Sequence, residues 1–504
     1  MLLGELVATS TRVSATSSRI AKSEHLAAFL SQLASDEIPI AVGLLTGQPR
    51  QGRIGVGYAA AFGVEVPPSK HAGLSLLEVD AVLDAIPSET GAGSQARRNQ
   101  LLRGLFERAT TDEQEFLRRV LTGEVRQGAL AGVLIEAIAK AFDVPAPAVR
   151  RALMLRADLG AVARIAAAEG AEGLVRVDLE VLSPVQPMLA SPAASIDEAV
   201  TGAVTVEWKL DGARIQVHRR ADEVRVFTRN QNDITLRMPE VVAVASALAA
   251  TEFILDGEAM ALRPDGTPQP FQETMSRFGS EERVFAEVPI YPFFFDLLHF
   301  DGRHLIDEPL SARLAQLDGL APADHRIPRI VTESVEEAAR FSEEAVGAGH
   351  EGVMVKDLDS RYEAGRRGRS WRKVKPVHTY DLVVLAAEWG HGRRSGYLSN
   401  IHLGARDEKS GEFVMVGKTF KGMTDEMLRW QTETFPKLEV RRDRWAVYLR
   451  PEQVVEIALD GVQASTRYPG GIALRFARVK RYRDDKPPSQ ADTLQTLRAL
   501  LPES

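Results

Sequence analysis

The sequence predicts three folded units in one chain: an all-α N-terminal unit, an α+β middle unit and a small C-terminal β-barrel. Three observations carry this. The chain has 504 residues, and domains usually run about 100–200, so one core is too few. Apolar residues recur with helical spacing up to about residue 175 and with strand-like alternation beyond it. Between the two regimes Pro184, Pro187 and Pro192 crowd together, and each removes a backbone donor that helix or sheet would need. The expected boundaries are 1–183, 184–377 and 378–504.

In the first unit Leu26, Phe29, Leu30 and Leu33 form one apolar helical stripe, as do Leu130, Val133, Leu134, Ala137, Ile138 and Phe142. A further helix is expected from near Val149, and Gly91–Ser94 reads as a loop. In the second unit residues 204–208, 213–220 and 223–229 alternate apolar with polar, residues 253–262 and 292–300 are largely apolar, and 337–346 reads as a helix. Near His378 short strands take over, at 381–389, 413–420 and 453–460. Their size and spacing suggest a barrel of about five strands, an OB-fold.

Composition narrows the function. Hydrophobic residues make up 44% and charged residues 26%, which excludes global disorder. There are no cysteines, so disulfides, thiol nucleophiles and Cys-based zinc sites are excluded, and a reducing cytoplasm is the expected location. The N-terminal 25 residues lack the basic start and apolar run of a signal peptide, and no membrane contact is expected from any long apolar run. The net charge of -7 gives no general basic bias, so a nucleic-acid contact must rest on clustered Lys and Arg.

The chemistry concentrates after Pro192. In Glu207-Trp-Lys-Leu-Asp-Gly-Ala-Arg214 a lysine follows a strand and precedes an Asp-Gly turn. Alternate positions share a face, so Glu207, Lys209 and Asp211 can look into one cleft. Alone, the segment reads better as a plain hairpin with a surface lysine, because Asp-Gly is a common hairpin turn. It is followed in order by Phe227-Thr-Arg-Asn230, Leu255-Asp-Gly-Glu258, Phe294-Phe-Asp296, Glu351-Gly-Val-Met-Val-Lys356, Ser370-Trp-Arg-Lys-Val-Lys375 and Arg475-Phe-Ala-Arg-Val-Lys-Arg481, closed by Asp484-Asp-Lys486.

In this order and at these intervals the segments resemble the motif set of the covalent nucleotidyltransferases: DNA ligases, RNA ligases and mRNA capping enzymes. The resemblance covers about residues 185–490. It implies that the middle unit is a nucleotidyltransferase (adenylation) domain and that Lys209 is the nucleophile attacking the α-phosphorus of ATP. A lysine amine with a free pKa of about 10.4 is rarely neutral at pH 7, so nearby cations and burial are needed to activate it. By the same resemblance Glu207 lies at the adenine edge and Phe295 stacks on the base. Arg214, Arg229 and Arg369 contact the nucleotide, and Lys373 and Lys375 face its phosphates. Glu258 and Glu351 serve the ribose and a divalent cation, expected to be Mg²⁺ because phosphoryl transfer calls for a hard cation with oxygen ligands. Arg475, Arg478 and Lys486 orient the pyrophosphate. Ala477 stands where many relatives carry proline.

The acceptor is a separate question, and an RNA ligase, a capping-type enzyme or a non-catalytic DNA-binding relative are the alternatives. The helical first unit resembles the DNA-binding domain of ATP-dependent DNA ligases of the bacterial and archaeal type. Within it Leu121-Thr-Gly-Glu-Val-Arg-Gln-Gly128 is similar to part of that domain and could hold a phosphate at a helix start; the loop around Gly43, Gly47 and Gly52 is a weaker candidate. The absence of cysteine excludes the Cys₄ zinc module of NAD-dependent ligases. The resemblance therefore implies sealing of nicked double-stranded DNA by a monomer that encircles the duplex.

Overall fold

A computed structural model describes residues 1–52, 54–125, 131–269, 274–275, 289–363, 367–376 and 378–501. Arg126–Gly128 of the expected phosphate-holding segment, and Leu130 of the second apolar stripe, lie outside them. Residues 3–175 form a helical unit around one continuous core, from Leu3 through Phe106 and Phe116 to Leu174. Its helices start where sequence chemistry satisfies their free N–H groups. Ser75 with Glu78, and Thr110 with Glu113, form capping boxes at the helices Leu76–Ser88 and Thr111–Leu121. The helix Arg19–Leu30 ends before Leu33, which only packs against the core from the following turn. Gly43 falls inside the helix Glu37–Thr46 rather than in a loop, and Gly47 (φ 69°) ends that helix.

The middle unit holds strands β1 (Leu189–Pro192), β2 (Val204–Trp208), β3 (Ala213–Arg220), β4 (Glu223–Thr228), β5 (Glu252–Ala261), β6 (Ile290–Phe300), β7 (Arg303–His304), β8 (Arg329–Thr332), β9 (Val353–Asp357) and β10 (Arg367–Val374). They form two five-stranded sheets, ordered β1-β10-β9-β2-β8 and β4-β3-β5-β6-β7. This corrects the hairpin reading: β2 and β3 do not pair. β2 pairs β8 and β9, β3 pairs β4 and β5, and residues 209–212 cross from one sheet to the other. An Asp-Gly pair signals only a local reversal. Here the backbone of Lys209 is instead taken by Gly352 and Glu351, through N–H to Gly352 O at 2.8 Å and from Glu351 N–H at 3.0 Å. At Gly212 a Cβ would stand 2.5 Å from Ala259 O, so only glycine lets the crossing lie on β5.

The segment joining the first two units is packed, not free. Leu179, Val181, Val185 and Met188 are buried with Met154 and Leu155 of the helical unit and with Phe295 and Trp371 of the middle unit. Deeper in the middle unit, Arg313 and Asp296 pair with both side chains wholly buried, Nε to Oδ1 at 2.8 Å, tying β6 to the helix Leu310–Leu320.

The C-terminal unit is strand-rich and OB-like, with more strands than the expected five. A seven-stranded sheet contains β11 (His378–Trp389), β12 (Leu398–Arg406), β13 (Phe413–Thr419), β14 (Glu439–Arg442), β15 (Ala446–Leu449), β16 (Val454–Leu459) and β19 (Arg478–Tyr482). The strands β17 (Gly461–Ala464) and β18 (Ile472–Arg475) pair beside it. Its long strand β11 starts just after Lys375 and pairs β16 along its first half and β15 along its second. Among the described residues no helix is long and apolar enough to cross a membrane.

Candidate functional site

Where the two middle sheets meet the C-terminal unit there is a cleft of about 580 Å³, within the size range of small-ligand sites. Of the residues singled out from sequence, Glu207, Lys209, Arg214, Arg229, Glu258, Phe295, Glu351, Lys373, Lys375 and Arg475 line it.

Lys209 leaves the end of β2, and its Nζ pairs with Glu351 Oε2. The other oxygen of Glu351 lies 2.8 Å from Lys375 Nζ. Burial works against the Glu351 carboxylate, but Lys209 and Lys375 together hold it below the usual carboxylate value. Glu351 reaches this place because Gly352 (φ 128°) turns into β9 against Val374 O, 2.4 Å from where a Cβ would stand. Glu258, on β5, is different. Burial pushes its carboxyl up to about 8, and the charges of Lys209 and Arg214 only partly oppose this.

At the cleft wall Glu207 is buried and paired with the buried Lys356, Nζ to Oε2 at 2.5 Å. Burial pushes Glu207 up, against the pull of Lys356. Its Oε1 has no hydrogen-bond partner among the described residues. Lys356 Nζ stands 4.3 Å from the ring centre of Phe295 and 4.2 Å from that of Trp371, and the two rings meet edge to face at 6.1 Å. Arg214 is tied down: it grips Asp256 in a fork at 2.9 and 2.6 Å and donates to Met188 O at 2.6 Å.

From the C-terminal unit Arg475 and Phe476 line the same cleft. Arg475 forks onto Asp211 at 2.8 and 3.2 Å, which closes the C-terminal unit over the crossing segment. Burial opposes the Arg475 charge, yet Asp211 raises its pKa.

Three expected residues are not brought into the cleft. Arg369 falls where β10 shifts register against β1, and its side chain stands exposed. Arg478 is half-exposed and pairs with Asp460 at 3.1 Å. Lys486 lies beyond β19, where Asp381 takes it at 2.6 Å together with Arg483. Sequence reasoning gave no role to Lys356, Trp371, Asp256 or Asp460. The first three sit within the quoted motifs, and a lysine among the valines of β9 was the available signal for Lys356.

The comparisons with known proteins agree with this geometry. Residues 187–375 match the family model of the ATP dependent DNA ligase domain, residues 394–486 that of the ATP dependent DNA ligase C terminal region, and residues 59–139 that of the DNA ligase N terminus. A probable DNA ligase of Saccharopolyspora erythraea is 55% identical, covering 99% of this chain and 98% of its own. One of Nocardia farcinica is 53% identical and covers 100% of both. The solved structure Pmar-Lig_PreS3 shares the fold, with a TM-score of 0.60 at 21% identity over 95% of this chain and 99% of its own.

Proposed function

The chain belongs to the ATP-dependent DNA ligase family, and we propose that it seals 5′-phosphate/3′-hydroxyl nicks in duplex DNA through a lysyl-AMP on Lys209 and a DNA-adenylate. One observation carries the reading: a lysine nucleophile shares a cleft with an unpaired buried acceptor and with three further cations, Lys373, Lys375 and Arg475. Glu207 Oε1 fits the exocyclic amine of adenine. The cations fit phosphates.

In the first step Lys209 Nζ attacks the α-phosphorus of ATP, and pyrophosphate leaves. The proton that Lys209 must shed stands against Glu351 Oε2. Lys373 and Lys375 neutralise charge at the α-phosphate, and Arg475, with Arg478 behind it, meets the departing pyrophosphate. In the second step an oxygen of the nick's 5′-phosphate attacks the AMP phosphorus and Lys209 leaves. In the third the 3′-hydroxyl attacks the 5′-phosphorus and AMP leaves. Each is an in-line displacement served by positioning and charge.

Glu258 and Glu351 are the residues that would hold Mg²⁺. They fit a cation that takes one or two carboxylates and fills its shell from phosphate and water: both line the cleft, near enough that the charge of Glu351 adds to the rise of Glu258. Such an ion would neutralise phosphate charge as pyrophosphate departs. Arg214 acts here by fixing Asp256 and the cleft wall, and Arg229 stands exposed at the cleft rim.

We further propose that residues 1–183 bind DNA, 184–377 adenylylate, and 378–504 close over ATP, and that a monomer in the cytoplasm surrounds the nicked duplex. The test is a nicked duplex with a 5′-phosphate, incubated with the protein, ATP and Mg²⁺. Sealing is expected. Covalent labelling from GTP without sealing would instead indicate a capping-type enzyme.

A further inference from the structure

Two domains meet on one carboxylate. Asp460, between β16 and β17, sets Oδ2 3.3 Å from Lys375 Nζ across the domain boundary. Its Oδ1 accepts from Arg478 Nη2 at 3.1 Å, and its backbone N–H donates to Arg475 O at 3.0 Å. Lys375 continues to Glu351, and Glu351 to Lys209. The C-terminal unit is thus linked to the nucleophile through Lys209–Glu351–Lys375–Asp460. The Asp460 side chain is only 16% exposed, so solvent and salt screen these contacts less than they would a surface pair.

We propose that Asp460 is a positioning residue that ties closure of the C-terminal unit to the charge of Lys375; the inference rests on the lysine-adenylylation reading above. With the unit docked, Asp460 orients Arg478, holds the backbone of Arg475 and shares Lys375 with Glu351. The docked arrangement cannot be the one that meets DNA. Lys209 is 23% exposed in a cleft that Arg475 and Phe476 also line, so the unit carrying these two side chains must swing aside for a nick to reach the lysine. When the unit leaves, Lys375 keeps only Glu351, and more of its charge is available to the 5′-phosphate. Asp460 therefore supports the first step and has no part in the last.

The test compares wild type, Asp460→Ala and Asp460→Asn in single turnover on two reactions, covalent labelling by ATP and sealing of a pre-adenylylated nick, with thermal unfolding measured for each. A charge-assisted hydrogen bond lost at the first step should slow labelling by Asp460→Ala about tenfold or more. Sealing of the pre-adenylylated nick should stay within about twofold of wild type. Asp460→Asn, which keeps the shape and an acceptor, should fall between. In the double variant Asp460→Ala/Arg478→Ala labelling should be no slower than in the slower single variant, because the two act as one unit. Equal losses on both reactions, multiplying losses in the double variant, or unimpaired labelling would each overturn the assignment. If wild type itself took no label from ATP, the adenylylation reading would fail instead, so the two failures are distinct.

Discussion

Glu207, which lines the cleft, sets Oε2 2.5 Å from Lys356 Nζ in a buried pair, while Oε1 of the same carboxylate has no partner among the described residues. The ion pair fixes the rotation of the carboxylate and so decides which oxygen is offered to a ligand. Phe295 and Trp371 stack around Lys356 and keep water from it.

Glu207→Gln should raise the KM for ATP in lysine labelling about tenfold, the worth of one hydrogen bond to a charged acceptor, with less effect on the rate at saturation. Labelling at a range of ATP concentrations checks this. An unchanged KM would remove Glu207 from the base-binding edge.

Arg313→Met should destabilise the protein by about 3–5 kcal/mol, because it leaves the Asp296 carboxylate buried without its partner. Urea unfolding measures the loss. A cost below about 1 kcal/mol would mean that water reaches Asp296 and that the pair does not brace β6 behind Phe295.

Burial pushes the imidazole of His218 down to about 3, with His299 adding to the effect. An unfolded histidine titrates near 6.5. Between these values the unfolded chain carries the proton and the folded one does not. The contribution is therefore complete above pH 6.5 and is lost as pH falls toward 3, by up to about 1.4 kcal/mol per unit. His218 Nδ1 accepts the Leu182 N–H at 3.1 Å, so acid should loosen the joint between the first two units. Replacing His218 with Gln should flatten the slope of stability against pH between 6.5 and 5. An undiminished slope would place the acid sensitivity elsewhere.

A protein beginning at Pro184 should still label with ATP but seal nicks poorly at physiological salt. The residues placed in the cleft all follow Pro184, while the helical unit before it matches the DNA ligase N terminus. Binding of DNA by the full chain should weaken steeply with salt as counterions are released. Sealing by the shortened protein at the full-length rate would contradict the division of labour.

Much of this was legible in the sequence because strands write their burial locally. β2 and β3 were expected with the bounds observed, and β5 and β6 within a few residues, since each alternates or runs apolar between turn residues. The partnership of strands was not legible. Asp211-Gly212 looks like a hairpin turn, and only the hydrogen bonds of Lys209 to Gly352 and Glu351, distant in sequence, show that β2 belongs to the other sheet. The cleft followed the motifs where residues lie on its walls. It departed from them at Arg369, Arg478 and Lys486, whose placement depends on a register shift and on the carboxylates of Asp460 and Asp381. No spacing rule reveals those pairings.

The most direct measurement is the location of the covalent nucleotide. The protein is incubated with ATP labelled at the α-phosphate, denatured and digested, and the labelled peptide is mapped. AMP is expected on Lys209, with no label on Lys209→Ala despite an unchanged fold, and none on Lys209→Arg, whose guanidinium stays protonated and is a poor nucleophile. AMP on another residue, or sealing of ordinary nicks by Lys209→Ala at the wild-type rate, would contradict that expectation.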